Sequence, residues 1–408
     1  MTVLTDARIV LPDGVHRGDL HIADGKIVEA GAAPGGDVID LGGRHVVPGF
    51  VDMHVHGGAG ASYQLGHPDD VRRGAEYHLA HGTTTTMASL VTGAPDELAG
   101  AVARLADLAA DGVITGVHLE GPYLARDRCG AHNPALLRAP DLAEFRRLVR
   151  LGRGHVRMIT LAPELPGALD LVREAVDTGV IAAVGHTDAP GATARAAFDA
   201  GARVATHLFN AMRPLHHREG GPVAAAVNDP RVTVELINDG VHVEPAVARL
   251  AFAAAGPSSS PHPPLSNGRA PLDAPSSSPH PPPSNGRAPL GAPGRLALIT
   301  DAMAAAGMGD GDYSLGGMDV EVRDGRAVLA GGTSIAGSTI TMADAFRRAV
   351  MDVGVPVHVA AEAASLTPAR ALGIASRVGS LEPGKDADLV VLDDDLRIAW
   401  VMKRGRRV

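Results

Sequence analysis

The sequence predicts an α/β fold: a (β/α)8 barrel of the TIM type, with a small β-sandwich built from both chain ends. Three observations support this prediction. The middle of the 408-residue chain alternates short apolar runs with segments rich in Ala, Leu, Arg and Glu, and eight such runs occur over roughly 250 residues. Both ends instead alternate β-rich pieces with glycine turns. No Gly-x-Gly-x-x-Gly follows the first strand of the middle region, which disfavours the competing doubly wound sheet.

The two chain ends have similar sequence patterns, in which short β-rich segments alternate with turns. The β-rich pieces are Ala7–Leu11, Leu20–Ala23, Lys26–Ala30, Val38–Leu41 and His45–Val47 at the N-terminus, and Leu389–Leu392 and Arg397–Val401 at the C-terminus. We therefore predict that residues 1–47 and 366–408 form one small β-sandwich domain, and that residues 48–365 form the barrel.

The barrel elements follow in order along the chain. The predicted strands are Gly49–His54, Thr83–Ala88, Gly116–Leu119, Val156–Ala162, Ile181–Val184, Arg203–His207, Thr233–Ile237 and Leu296–Thr300. The predicted helices between them are Pro68–His78, Pro95–Ala109, Pro140–Leu151, Gly167–Thr178, Pro190–Ala200 and Pro245–Ala254.

A tandem repeat interrupts the barrel before its last strand. The stretch PSSSPHPPLSNGRAPLDA is followed at once by PSSSPHPPPSNGRAPLGA. Segments of Ser, Pro, Asn and Gly cannot pack a core, so we predict a disordered, solvated insert over residues 257–292. Its histidines, His262 and His280, receive no catalytic role.

Composition narrows the function. The net charge is −9 and aromatic residues are 3% of the chain, which disfavours nucleic acid as a partner. Cys129 is the only cysteine, so no intrachain disulfide or thiolate metal cluster can form. The first residues do not resemble a signal peptide and no apolar run is long enough to span a bilayer, so we expect a cytoplasmic protein without a membrane partner.

Lysine is nearly absent. Lys26, Lys385 and Lys403 are the only lysines, and all lie near the chain ends. The middle of the chain therefore cannot form a Schiff base, which disfavours lysine-dependent aldolases and pyridoxal enzymes.

Polar residues end five of the predicted strands. They are His54 with His56, Glu120, His186, His207 and Asp301. Residues i and i+2 of an extended segment face the same side, so both imidazoles of the first pair can face one metal ion. Each residue alone could equally be an incidental or hydrogen-bonded polar group. Together, on the barrel face that carries active sites, they predict a centre for Zn²⁺, Fe²⁺ or Mn²⁺.

Several longer stretches of the sequence resemble the motifs of a known family. They are PGFVDMHVHGG (48–58), GTTTTMAS (82–89), HLEGPYL (118–124), GAHNP (130–134), GHTDA (185–189), THLFNAM (206–212), NDGVHV (238–243), LITDAM (298–303), IAGSTITM (335–342) and the tail motif EPGKDADLVVLD. With them the chain resembles metal-dependent amidohydrolases and, within that superfamily, the N-acetylglucosamine-6-phosphate deacetylases.

The resemblance implies hydrolysis of N-acetyl-D-glucosamine 6-phosphate to D-glucosamine 6-phosphate and acetate, in amino-sugar catabolism and cell-wall recycling. Two alternatives stay open: a related amidohydrolase that deacetylates another N-acetylated sugar or amino acid, and a barrel scaffold without turnover. The scaffold would require damage to the metal site or to Asp301, and the sequence shows none.

The resemblance also implies one or two divalent metal ions per subunit: Zn²⁺, or else Fe²⁺, Mn²⁺ or Co²⁺. Glu120, His186 and His207 would hold the first ion. His54 and His56 would hold the second, sharing Glu120 and Asp301. Glu120 would take the bridging place that a carboxylated lysine has in related binuclear enzymes, in keeping with a barrel that has no lysine.

Catalytic and substrate-binding roles follow from the same resemblance. Asp301 would act as general base and then general acid, and His132 would stabilise the oxyanion. From the residues alone, His132 is expected to be an exposed loop histidine. The phosphate would be bound by Asn210, the backbone of Ala211, His242 and Arg218. Arg218 would come from the neighbouring subunit of a homodimer, although the segment around it lacks the family's proline.

Overall fold

The computed structural model describes residues 1–29, 36–257 and 294–408. The prediction of a disordered insert at 257–292 falls outside the described residues from position 258 onward, and it stays a prediction. Within the described ranges, no helix is both long and apolar enough to cross a membrane.

The elements of the described residues are as follows. The strands are β1 (Thr2–Leu11), β2 (Gly14–Ala23), β3 (Lys26–Val28), β4 (Asp37–Asp40), β5 (His45–Pro48), β6 (Phe50–Asp52), β7 (Gly57–Gly58), β8 (Ala61–Ser62), β9 (Thr83–Thr86), β10 (Ala88–Leu90), β11 (Val117–Glu120), β12 (Val156–Leu161), β13 (Ile181–Val184), β14 (Val204–Ala205), β15 (Thr233–Ile237), β16 (Leu296–Ile299), β17 (Gly311–Leu315), β18 (Met318–Arg323), β19 (Arg326–Leu329), β20 (Leu389–Leu392), β21 (Ile398–Lys403) and β22 (Arg406–Arg407). The α-helices are α1 (Pro68–Ala80), α2 (Pro95–Ala110), α3 (Leu142–Leu151), α4 (Ala168–Asp177), α5 (Gly191–Ala200), α6 (Gly221–Asn228), α7 (Pro245–Ala255), α8 (Met342–Arg348), α9 (Val357–Ala361) and α10 (Thr367–Ala371).

A parallel sheet forms the barrel wall. Strands β10 to β16 are hydrogen-bonded neighbours in chain order, and β6 pairs in parallel with β9. The chain passes from β9 into β10 at Met87, and the backbone N–H of Asp301 donates to the carbonyl of His54 at 2.9 Å, joining the last strand to the first. Helices α1 to α7 connect successive strands and α8 follows the last one, which fits the predicted TIM-type barrel.

Local sequence explains where these helices begin. Proline occupies the first turn of α1, α2, α6 and α7, where its missing N–H would be unpaired in any residue. The Asp141 carboxylate caps α3, and Thr341 forms a capping box with Asp344 at the start of α8.

Strands from both chain ends share one sheet. Its order is β22-β21-β20-β5-β1-β2-β3, with β4 paired to β1. The C-terminal β20 pairs with the N-terminal β5 from Leu389 opposite Pro48 to Leu392 opposite His45. The closure of this sheet into a sandwich stays a prediction, as do the domain boundaries at 47 and 366.

The structure corrects three predicted barrel strands. Predicted strand Thr83–Ala88 divides at Met87 into β9 and β10. Predicted strand Arg203–His207 shortens to β14, because His207 has φ of 28° and leaves the extended conformation. Predicted strand Gly49–His54 shortens to β6, since only Phe50–Asp52 form its ladder with β9.

Three parts of the described structure were not predicted. Helix α6 begins within Gly220-Gly221-Pro222, a sequence typical of a turn. The three-stranded antiparallel sheet β17-β18-β19 follows the last barrel strand, and its apolar residues pack against Val91 and Met303. Helices α8 to α10 lie beyond it; α8 and α9 complete the core around Phe50 and Phe346, whereas α10 packs with Val51 and Met53.

Candidate functional site

The predicted metal ligands follow the carboxyl ends of neighbouring barrel strands. Glu120 is the last residue of β11, whereas His186, His207 and Asp301 each lie two residues beyond β13, β14 and β16. These three have φ of 46°, 28° and 50°, a left-handed conformation that costs about 1–3 kcal/mol per residue. The barrel thus ends its strands with strained polar residues at one rim, all of them buried.

Glu120 lies at the centre of the cluster. Its Oε1 atom is 3.0 Å from His186 Nε2 and 3.1 Å from His207 Nε2. Its Oε2 atom is 3.2 Å from His56 Nε2. Asp301 Oδ1 lies 3.1 Å from His56 Nε2 and 3.6 Å from His54 Nε2. The geometry brings together the two predicted ligand groups, with Glu120 between them.

Hydrogen bonds on the far side of the rings define which nitrogen faces this cluster. His56 Nδ1 donates to the carbonyl of Ser89 at 3.1 Å, and His186 Nδ1 donates to the carbonyl of Arg128 at 2.9 Å. A carbonyl can only accept, so Nδ1 carries a proton in both rings, and Nε2 is the nitrogen that faces the carboxylates and is available to a cation.

Converging lone pairs fit a divalent cation. His186 Nε2 and His207 Nε2 are 3.0 Å apart, and each lies beside the same carboxylate oxygen. Two sets of three side chains have ligand atoms within 4.8 Å of one another: His54, His56 and Glu120, and Glu120, His132 and His186. Imidazole and carboxylate donors suit first-row transition metals and Zn²⁺.

His132 differs from the other rings. Its Nδ1 accepts the backbone N–H of Thr92 at 3.1 Å, so the proton of the neutral ring lies on Nε2. That N–H points toward Glu120 Oε2 at 3.4 Å. His132 is also buried rather than exposed, so the expectation from the residues alone is wrong. Its tautomer is that of a hydrogen-bond donor, so of the set formed by Glu120, His132 and His186 only Glu120 and His186 are candidate metal ligands.

A cavity of about 400 Å³ opens above the cluster. Its walls include most of the predicted site residues, among them His56, Glu120, His132, His186, His207, His242 and Asp301. Asn210 and Ala211 line it as well, and Leu315 of β17 contributes to its wall. His242 Nδ1 donates to Asp239 Oδ2 at 2.7 Å, which fixes the orientation of that ring.

Among the predicted site residues, all within the described ranges, Arg218 is the one that lies at neither the metal cluster nor this cavity. It lines a second cavity of about 640 Å³, together with Arg195 and Arg231. Its Nη1 atom lies 2.8 Å from His217 Nε2 on the same exposed loop.

Comparison with known proteins places this architecture in a family. A sequence model of the amidohydrolase family matches residues 45–408. This chain belongs to the amidohydrolase family. It is 34% identical to the N-acetylgalactosamine-6-phosphate deacetylase of Escherichia coli O157:H7, over 99% of this chain and 98% of that protein. It is also 34% identical to the N-acetylglucosamine-6-phosphate deacetylase of Vibrio furnissii, over 91% and 85% respectively.

Solved structures give the same assignment. The N-acetyl-D-glucosamine-6-phosphate deacetylase of Mycobacterium smegmatis, an Asp-to-Ala mutant in complex with N-acetyl-D-glucosamine-6-phosphate, is 44% identical. It covers 100% of this amidohydrolase and 98% of its own chain, with a TM-score of 0.86. The N-acetylglucosamine-6-phosphate deacetylase of Thermotoga maritima is 27% identical with a TM-score of 0.81, and covers 99% of both chains.

The electrostatics of the amidohydrolase site favour bound positive charge. Burial opposes ionisation of Asp301, but His54 and His56 outweigh it and lower the pKa of Asp301 to about 2. Burial likewise disfavours protonated His56, but hydrogen bonds to Asp301 and Glu120 raise its pKa to about 9. Burial and the neighbouring His132 lower the pKa of His186 to about 4, so its Nε2 lone pair stays available at neutral pH.

Three residues that orient the rings of this amidohydrolase were not predicted from the sequence. Ser89 accepts from the His56 ring, and Thr92 fixes the His132 ring. Glu235, in the middle of β15, accepts from His54 Nδ1 at 3.1 Å. Ser89 acts through its backbone carbonyl and Thr92 through its backbone N–H and its hydroxyl, and neither contact leaves a signal in the sequence. Glu235 does leave one: a glutamate inside the apolar run of Val232–Ile237.

Proposed function

We propose that this amidohydrolase hydrolyses N-acetyl-D-glucosamine 6-phosphate to D-glucosamine 6-phosphate and acetate. One observation carries the proposal: Glu120 lies within 3.4 Å of five imidazole Nε2 atoms, in a site whose cavity also contains Asp301 and His242. The deacetylase names of its relatives support the substrate class. The role would be amino-sugar catabolism and cell-wall recycling in the cytoplasm.

The same proposal assigns the metal ligands. Glu120, His186 and His207 would hold one divalent cation, and His54 and His56 would hold a second together with Glu120 and Asp301. Zn²⁺ is the first candidate, with Fe²⁺, Mn²⁺ and Co²⁺ as alternatives. When bound, such a cation lowers the pKa of water and polarises an acetyl carbonyl.

Asp301 moves the proton in this mechanism. Its low pKa keeps it ionised at neutral pH, as a proton acceptor must be. It takes the proton of the attacking water as the oxygen bonds to the acetyl carbon. It then gives that proton to the nitrogen as the C–N bond breaks, which releases acetate and the free amine. The Nε2–H of His132 donates to the carbonyl oxygen while negative charge develops there.

The phosphate is assigned to the opposite part of the cavity. The His242 side chain is buried beside Asp239, whose Oδ2 atom lies 2.7 Å from Nδ1 and holds the ring at this end of the cavity. Asn210 and the backbone of Ala211 would add neutral hydrogen-bond donors. Arg218 would reach this end from the partner in a homodimer, because in its own chain it lines the other cavity.

We also propose a division of the chain into two domains. Residues 1–47 and 366–408 would form the small β-sandwich, and residues 48–365 the catalytic barrel. The pairing of β5 with β20 supports a joint domain of the two ends.

The name of one relative favours a second candidate substrate. The Escherichia coli relative at 34% identity is named for N-acetylgalactosamine 6-phosphate, which differs from the first substrate only in configuration at C4. Both sugars present the same acetamide and the same phosphate, so the residues assigned above would serve either.

The test is acetate release from a panel of substrates by the metal-loaded protein. The panel contains the 6-phosphates of both N-acetyl hexosamines, unphosphorylated N-acetylglucosamine and an N-acetyl amino acid. We expect the highest kcat/KM for N-acetylglucosamine 6-phosphate. A higher value for the galactosamine epimer would shift the proposal to the second substrate, and release only from the amino acid would refute both.

A further inference from the structure

Glu235 is a buried carboxylate that the mechanism leaves without a task. Its side chain is fully buried in the middle of β15. Among the described residues, no lysine or arginine lies within ion-pair distance of it, and its Oε1 atom has no hydrogen-bond partner. A carboxylate placed so deep without a permanent cation costs stability. Packing of the barrel therefore does not explain why a glutamate occupies this position.

Its contacts link both halves of the metal cluster. Glu235 Oε2 accepts from His54 Nδ1 at 3.1 Å and from the backbone N–H of His207 at 3.2 Å. The backbone carbonyl of Glu235 also accepts from the N–H of Leu208 at 2.8 Å. One side chain thus orients a ring of the first ligand pair and fixes the backbone of a ligand from the other group.

The ring of His54 is held differently from its neighbours. The rings of His56 and His186 donate to neutral backbone carbonyls. Only His54 among these three donates to a carboxylate, which fixes the Nδ1–H tautomer and makes Nε2 a more basic ligand. The His54 Nε2 atom lies 3.4 Å from Glu120 Oε1, on the side shared with His56.

We propose that Glu235 is a positioning residue that controls cation binding by the His54–His56 half of the site. This inference rests on the proposed metal-dependent function. Loss of its charge weakens the cation held by His54 and His56 more than the cation held by Glu120, His186 and His207.

Metal binding tests the proposal directly. Glu235→Gln keeps the shape and one acceptor for His54 but removes the charge, and Glu235→Ala removes both. Each protein is loaded with Zn²⁺, dialysed, and measured for metal content by elemental mass spectrometry and for affinity by titration with a competing chelator. We expect more than one equivalent in the wild type. In Glu235→Gln we expect the more weakly bound ion, which we assign to His54 and His56, to bind 10- to 100-fold less tightly. The affinity of the more tightly bound ion should not change.

Glu362→Gln is the matched control. Glu362 is a buried carboxylate outside the site cavity, paired with Arg370 at 2.6 Å, so its loss also disturbs the interior. We expect this variant to keep both Zn²⁺ affinities while its thermal stability falls. An equal loss of the weaker ion in both variants would show general destabilisation and overturn the proposal.

Other outcomes separate this inference from the proposed function. A wild type that binds only one ion, or a Glu235→Gln variant with both affinities within threefold of wild type, overturns the role of Glu235 alone. A wild type that binds no divalent cation overturns the proposed function itself.

A measurement on the wild type covers the case in which the variants do not fold. Nitrogen NMR of ¹⁵N-histidine-labelled, Zn²⁺-loaded protein, with the His54 signal assigned by loss in His54→Gln, reports the tautomer of that ring. We expect the Nδ1–H tautomer. An Nε2–H tautomer would overturn the proposal.

Discussion

His78 makes the fold sensitive to acid. This histidine is fully buried on α1, its Nε2 donates to the carbonyl of Gly57 at 2.8 Å, and its Nδ1 has no hydrogen-bond partner. Burial lowers its pKa from 6.5 to about 4. Between pH 6.5 and about pH 4, the unfolded chain therefore binds a proton at His78 that the folded state does not bind. The resulting loss of stability starts as the pH falls below 6.5 and is complete near pH 4.

The magnitude follows from the pKa difference. At 1.36 kcal/mol per pKa unit, protonation of His78 removes about 3 kcal/mol of the free energy of unfolding between those two pH values. The substitution His78→Gln keeps an N–H donor for Gly57 and does not titrate. We expect its free energy of unfolding to fall by about 3 kcal/mol less than that of the wild type from pH 7 to pH 4.

Urea unfolding at several pH values measures this difference, with a chelator present throughout so that metal binding does not contribute. His67→Gln, at the exposed N-terminal end of the same helix, is the control and should follow the wild type. If His78→Gln loses as much stability in acid as the wild type, then another group causes the acid sensitivity.

Three further predictions concern the chemistry. Asp301→Asn should abolish turnover while the Zn²⁺ ion assigned to Glu120, His186 and His207 stays bound; activity within tenfold of wild type would remove Asp301 from its proton-transfer role. His132→Gln should lower kcat about 100- to 1,000-fold with unchanged Zn²⁺ content, whereas loss of a Zn²⁺ equivalent would make His132 a ligand. Arg218→Ala should raise KM strongly for N-acetylglucosamine 6-phosphate and little for the unphosphorylated sugar, and equal effects on both would mean that Arg218 does not bind phosphate. Steady-state acetate release and elemental mass spectrometry provide these measurements.

The barrel elements were predictable because their periodicity is strong. Strands β13 and β15 begin and end at the predicted residues, since each is a short apolar run between clear turn signals. Helix α6 was missed because its glycines and proline suggest a turn. The antiparallel strands β17 to β19 were missed because the expected repeat of strand and helix ends with β16.

The candidate site was predictable where residue type and strand position agree. Glu120 at the end of β11 is such a residue, because a carboxylate directly after a buried strand is more typical of a ligand than of a surface charge. His132 was not predictable from the residues alone, because its contact with Thr92 joins residues 40 positions apart in the chain. The links made by Ser89 and Glu235 are also invisible without the register of neighbouring strands.

The left-handed backbone at His186, His207 and Asp301 lowers the stability of the fold at positions that the proposed activity requires. Glycine adopts this conformation without strain, so at these positions it relieves a cost that histidine and aspartate bear. A library screened only for thermal stability would therefore enrich glycine at these positions. The selected proteins would be more stable but would lack the side chains proposed to bind metal and transfer the proton. Engineering of this chain for durability should hold these three positions constant and seek its gains in the outer helices.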